Sequence, residues 1–270
     1  MKNISRTLSK ICLFSLATLF IVGMGFQLNR RLAFRGGGAF TPTDISGMTL
    51  WLDMNQEAFS NDDTIATATD WASTSNDFTQ ATGADKPIFK TGIINGLPAM
   101  LFDGSSDFLS NTTYDPFAGV DQSYSIFVVY QPVTITQTQS FVNKTLGSAP
   151  WTGQYFEIQS SKLSCTIDGG ATGTNVSPST TLVNGTAYIL SFVRDGGVTG
   201  KARVDGSAMA SGADTESNNV SVANDFFIGK GEGFCAGYIA QVLIYDSALS
   251  DEDRGSLLTY LGDMYSITVP

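Results

Sequence analysis

The 270-residue chain contains no histidine, only three cysteines and only eight prolines. Without an imidazole to take and return the nucleophile's proton, a Ser-His-Asp triad is excluded. The cysteines, at 12, 165 and 235, form no metal-spaced pair, so a Cys/His zinc site is excluded as well. The sequence allows a Cys165–Cys235 disulfide; free, buried thiols are the expected state. Few prolines with 28 glycines suit short strands joined by many turns.

Acidic residues are missing from the first 39 positions, which hold six bases (Lys2, Arg6, Lys10, Arg30, Arg31 and Arg35). The remaining residues therefore carry nine bases against 25 acids, a net charge of −16. Such a body argues against binding a phosphate backbone, which needs clustered Lys and Arg, and no nucleic-acid partner is expected.

Long apolar runs are scarce too. Ile11–Phe26 follows a basic start, as in a secretory signal. No Ala-x-Ala-like cleavage site comes soon after, and Gln27 to Arg31 turns basic again. The run is also shorter than the roughly 20 residues of a bilayer helix. Three readings stay open: an uncleaved anchor, a signal peptide, and an arm buried by neighbouring subunits of an assembly. "RGGG" at 35–38 serves as a flexible hinge. Residues 1–39 are thus expected as an arm or anchor, with Arg30, Arg31 and Arg35 as attachment residues, and 40–270 as the body.

No 3.6-residue apolar period extends over a helix length before residue 250. Strand-like runs between turn signals appear instead: "MTLWLDM" (48–54), "LPAMLFDG" (97–104) and "YSIFVVYQP" (124–132). The third is apolar on both faces and predicts a central, doubly covered strand. "QYFEIQSSKLSCTIDGG" (154–170) predicts a hairpin turning at Ser160-Ser161; 186–197 and 200–209 predict a second strand pair. In "IAQVLIY", Ile239, Gln241, Leu243 and Tyr245 are expected on one side, with Ala240, Val242 and Ile244 on the other. The pattern points to an antiparallel sandwich or barrel whose aromatics mainly fill the core.

A helix is expected over 250–265. Ser250 is its N-cap, Asp253 completes a capping box, and Asp251 and Glu252 suit the positive end of its dipole. Leu257, Leu258, Leu261 and Met264 form the stripe that docks it on the body.

Taken together, "MTLWLDMNQ", the stretch 70–109, "SIFVVYQP" and "AGYIAQVLIYDSALSDEDRGSLLTYLGDMYSI" resemble a known family. They are similar, in order and spacing, to concanavalin A-like (laminin-G-like) domains of bacterial secreted and bacteriophage structural proteins. The resemblance spans about 45–267. Trp71 stands where that family places a tryptophan before a turn, here the degenerate "ASTSND", and Gln241 replaces its usual glutamate. The resemblance implies an all-β, two-sheet antiparallel jelly-roll sandwich with a short C-terminal helix and an N-terminal arm, usually non-catalytic.

Related sandwich glucanases carry a short Glu-x-Asp-x-x-Glu pattern, which is absent from this sequence, and Glu157 sits alone in "YFEIQ". No catalytic residue is therefore assigned. A glycan site, where such a domain has one, is expected to combine a ring face with amides and carboxylates on loops at one rim: Trp151, Tyr155, Asn143 and Asp168. "FDGSSD" places Asp103, Ser105 and Asp107 at calcium-compatible spacing; the alternative is an Asp-Gly turn with Asp107 bonded to its own backbone. Calcium is the only cofactor entertained. Two functions are carried forward. One is a non-catalytic virion decoration protein, held on a phage particle by its arm, with capsid proteins and copies of itself as partners. The other is a secreted or membrane-tethered carbohydrate-binding module whose partner is a cell-surface glycan.

Overall fold

Because residues two apart share a face of a strand, the body's alternation buries one face of each sheet. The computed structural model describes residues 39–135, 137–145, 152–169, 173–207, 210–214 and 222–270; Arg30, Arg31, Arg35 and Trp151 lie outside them. The body is one unit from Pro42 to Pro270. In chain order its strands are β1 (Met48–Asp53), β2 (Thr67–Ala68), β3 (Phe78–Thr79), β4 (Ile88–Ile94), β5 (Leu97–Asp103) and β6 (Leu109–Asn111). There follow β7 (Tyr124–Pro132), β8 (Gln139–Thr145), β9 (Gly153–Gln159), β10 (Lys162–Asp168) and β11 (Thr174–Val176). The last are β12 (Tyr188–Asp195), β13 (Thr199–Val204), β14 (Ala210–Ala213), β15 (Phe226–Ile228) and β16 (Ala236–Tyr245), then helix α1 (Asp251–Tyr265).

Two antiparallel sheets form a jelly-roll sandwich. The first runs β14-β13-β12-β7-β16-β5-β4, with β1 also paired to β16; the second runs β11-β10-β9-β8-β15-β6-β3-β2. As its sequence predicts, β7 is central and almost wholly buried. Tyr124, Ile126, Val128 and Tyr130 face the inter-sheet core, where Tyr130 meets Phe141 of β8 with ring centroids 4.5 Å apart. Two polar bonds cross the same core: the Tyr130 hydroxyl with Gln139 Oε1 at 2.7 Å, and the Tyr124 hydroxyl with Gln154. They anchor side chains whose burial without partners would be costly.

Turn chemistry fixes register. Ser160 and Ser161 both take positive φ (49° and 63°), a two-residue turn whose twist matches its flanking strands. Asn95-Gly96 turns β4 into β5 with φ of 52° and 76°, and Gly96 adopts that conformation at little steric cost.

The expected alternation of β16 needs one correction. A register shift lies between Ile239 and Gln241 against β7, so Ile239 joins Val242 and Ile244 in the core. An extra residue in one strand moves everything beyond it to the opposite face. Gln241 therefore faces outward, where its Oε1 accepts from Trp51 Nε1 at 3.2 Å and its Nε2 contacts Met264 Sδ at 3.2 Å.

Helix α1 begins as expected at Ser250, whose Oγ accepts from the Asp253 N–H at 3.1 Å. The reciprocal half of the box differs: the Asp253 carboxylate accepts from the Ser250 hydroxyl at 2.7 Å, Asp being shorter than the Glu of the usual motif. Leu257, Leu258, Leu261 and Tyr265 are buried, and Met264 is half-buried beside Asn55 and Gln241. Cys165 and Cys235 are free and buried. Among the described residues, no helix is long and apolar enough to cross a membrane.

Candidate functional site

The strands β8 to β11 present two faces of opposite character. Phe156, Ile158, Leu163, Cys165, Ile167 and Val176 point into the core. Their alternates share the outer face and register in rows: Ser140–Glu157–Ser164, then Asn143–Tyr155–Thr166–Asn175, then Thr145–Gly153–Asp168. All the outward side chains in these rows are hydroxyl, amide or carboxyl groups. Asn175 Nδ2 ties two rows together, donating to Ser164 Oγ at 2.8 Å and Thr166 Oγ1 at 2.6 Å.

Three of the four residues expected to bind glycan therefore share one face. Asn143 stands opposite Tyr155, and Asp168 lies one row on. They sit on strands rather than on rim loops, because "QSFVNKT" pairs as β8 and brings Asn143 into the sheet. Asn143 is committed within the protein: its Oδ1 accepts from the Phe156 N–H at 2.7 Å, and its Nδ2 donates to Lys230 O at 3.5 Å. Tyr155 is only 2% exposed. Its hydroxyl lies near Thr145 but makes no hydrogen bond of ordinary geometry among the described residues.

Glu157, alone in the sequence, is not alone in the fold. It is 1% exposed, beneath a strap formed by residues 229–235. Gln159 Nε2 donates to its Oε1 at 2.7 Å, and the Ser140 hydroxyl lies 3.4 Å from its Oε2. Burial, and then the Glu232 carboxylate on the strap, push its pKa up to about 8, so it holds its proton at neutral pH.

The strap is a tight hairpin. Gly231 N donates to Gly233 O at 3.2 Å, and Cys235 N to Gly229 O at 2.9 Å. A Cβ on Gly231 would collide with Asn143 and Ser140, which is why glycine is required there. The flanking glycines of "GKGEG" were the available signal, but nothing in the sequence said which strand they would lie upon.

At the calcium candidate, Asp103 Oδ1 accepts from the backbone N–H groups of Ser105, Ser106 and Asp107 at 2.8, 2.8 and 3.0 Å. Asp107 Oδ2 accepts in return from Asp103 N at 3.0 Å. The two carboxylates thus close a turn, and the Ser105 side chain is exposed. Burial, then the Asp103 charge, raise the Asp107 carboxyl to about 6. Among the described residues, no group of three or more His, Cys, Asp or Glu is arranged to hold a metal ion.

Two antiparallel sheets, a largely apolar core between them and a helix closing the chain define a lectin-type jelly roll. The model of the concanavalin A-like lectin/glucanases superfamily (Laminin_G_3) matches residues 103–253, more than half of the chain, and the chain belongs to that family. No curated protein matches it in sequence. Among solved structures, the binding domain of Paraclostridial Mosquitocidal Protein 1 is similar at TM-score 0.63 and 11% identity, covering 82% of this chain and 53% of that one. Domain 4 of AbnA, a GH43 extracellular arabinanase from Geobacillus stearothermophilus in complex with arabinotriose, is similar at 0.57 and 14%, covering 78% and 97%. Trypanosoma rangeli sialidase in complex with sialic acid is similar at 0.54 and 12%, covering 91% and 38%. The chain spans about half the length of the mosquitocidal binding domain and less of the sialidase. At these identities the likeness is one of fold.

Proposed function

We propose that the chain is a non-catalytic, lectin-like module that binds a saccharide on the outer face of β8–β11. The observation that carries this reading is the Tyr155 hydroxyl. It is buried, lacks a well-formed partner among the described residues, and stands in a row with Asn143, the half-buried Thr166 and the exposed Asn175. Buried polar groups are nearly always hydrogen-bonded, and a sugar hydroxyl supplies both a donor and an acceptor. Membership of a lectin-containing family, and likeness to domains whose titles name sugars or binding, support the same reading without fixing the ligand.

The segment 1–39 then carries the domain to its place, outside the cell by secretion or tethering. Display on a phage particle, beside capsid proteins and other copies of the chain, is the finer reading that the sequence resemblance implies for that segment. Calcium enters only as an arm of the test.

The full chain applied to an array of immobilised saccharides, once with calcium and once with EDTA, is expected to retain a defined subset. Tyr155→Phe should bind that subset about 5- to 10-fold more weakly, one hydrogen bond being worth about 1 kcal/mol, with its melting temperature little changed. Silence of the wild type in both buffers contradicts the proposal; binding confined to the calcium buffer returns attention to Asp103 and Asp107.

A further inference from the structure

Beside the polar rows, the strap holds one cation in an unusual setting. The Lys230 ammonium lies 4.2 Å from the Phe108 ring centroid, 5.0 Å from that of Phe227 and 6.0 Å from that of Phe234. Phe108 and Phe227 meet edge to face, 5.8 Å apart at 75°. All four side chains are half-buried, so the shelf opens to solvent. Its position is fixed from below. Lys230 pairs across the hairpin with Phe234, its carbonyl accepts from Asn143 Nδ2, and the strap's glycines rest directly on β8.

Among the described residues, Lys230 shares the lack of an ion pair with Lys86, Lys162 and Lys201, and is set apart from them by its three rings. Lys90, Lys144, Arg194 and Arg254 each pair with an aspartate. The Lys230 ammonium makes no ion pair or hydrogen bond among the described residues, although the body carries 25 acids against nine bases. Three ring faces lie beside its N–H donors, and ring faces do not replace an anion.

We propose that Lys230, held by Phe108 and Phe227, forms a subsite for an anionic sugar, whose carboxylate or sulfate pairs with the ammonium at the edge of the polar rows. The inference rests on the saccharide-binding reading above and adds the ligand's charge class. It also accounts for the strap, whose glycines seat a cation at the edge of the polar rows. The competing role for Lys230 is structural, its alkyl stem merely covering the rings.

Titration of the full chain with a neutral oligosaccharide, an oligogalacturonate and a sulfated oligosaccharide of equal length separates these roles. The carboxylated ligand, the sulfated ligand or both should bind at least about tenfold more tightly than the neutral one, and that margin should shrink between low and high salt. Lys230→Met keeps the stem and removes the charge, and should reduce anionic binding to the neutral level. Lys230→Arg should preserve the preference. Unchanged anionic binding by Lys230→Met, or no charge preference in the wild type, overturns the inference while leaving saccharide binding intact. Failure of all three ligands together with a silent array removes the underlying reading as well. Should Lys230→Met not fold, the wild-type charge preference and its salt dependence still decide.

Discussion

Replacing Asp214 by asparagine is expected to destabilise the body by about 3–5 kcal/mol, the cost of stranding a buried charge. Asp214 Oδ2 accepts from Arg194 Nε at 2.7 Å, and both side chains are 0% exposed. Around the guanidinium lie Gln122 O, 3.3 Å from one terminal nitrogen, and the Tyr124 ring. The same carboxylate oxygen accepts from Gly197 N at 3.2 Å. Asparagine keeps the shape and an acceptor but removes the charge that Asp214 presents to Arg194 Nε. Because a buried pair replaced as a whole is often tolerated, Arg194→Met with Asp214→Leu should be less destabilised than the sum of its single changes. Urea denaturation of the wild type, Asp214→Asn, the two single variants and the double variant measures this. A loss below about 1 kcal/mol for Asp214→Asn would show that the pair is hydrated rather than buried.

Glu157→Gln should act in the opposite direction and only at higher pH. An unfolded glutamate ionises near pH 4.5, whereas the folded one keeps its proton to about 8. Between those values the folded state binds more protons, so this group's contribution is fully present below about 4.5 and is lost as pH rises through 8. Glutamine never ionises, and its oxygen still accepts from Gln159. The variant should match the wild type near pH 4.5 and exceed it by about 2–5 kcal/mol at pH 8.5, given roughly 1.4 kcal/mol per pKa unit. Asp107 and Asp205, each raised to about 6 mainly by burial, contribute a similar slope at lower pH. The difference between the two proteins isolates Glu157. Equal stabilities at pH 8.5 would mean that water reaches the carboxyl.

Much of the fold was legible because local rules and global packing agree. β7 is apolar on both faces and is central; Ser160-Ser161 turns where the flanking alternation says it must; Ser250 caps the closing helix. β8 was not legible. "QSFVNKT" has the polarity of a loop, yet every residue of it is buried, since its inner alternates enter the core while its outer ones lie on a polar face partly roofed by the strap. The shift in β16 was hidden as well, because Ile239 and Ala240 are both apolar and either satisfies the core.

For the site, residue types were readable but their companions were not. Asn143, Tyr155 and Asp168 were expected together and do share a face. Glu157 and Glu232 are far apart in the chain, and only the strap's return over β8 brings their charges within reach. Lys230 carried no sequence signal, since a single lysine among glycines reads as a solvated turn.

Hydrogen exchange of the full chain, with and without an oligosaccharide selected on the array, tests the central claim most directly. Binding to the outer face of β8–β11 predicts slowed exchange over Gly153–Asp168 and across the strap at 229–235. Protection confined to the groove lined by Thr259, Asp263, Ser266 and Val269, or to the turn at 103–107, with 153–168 unchanged, would contradict it.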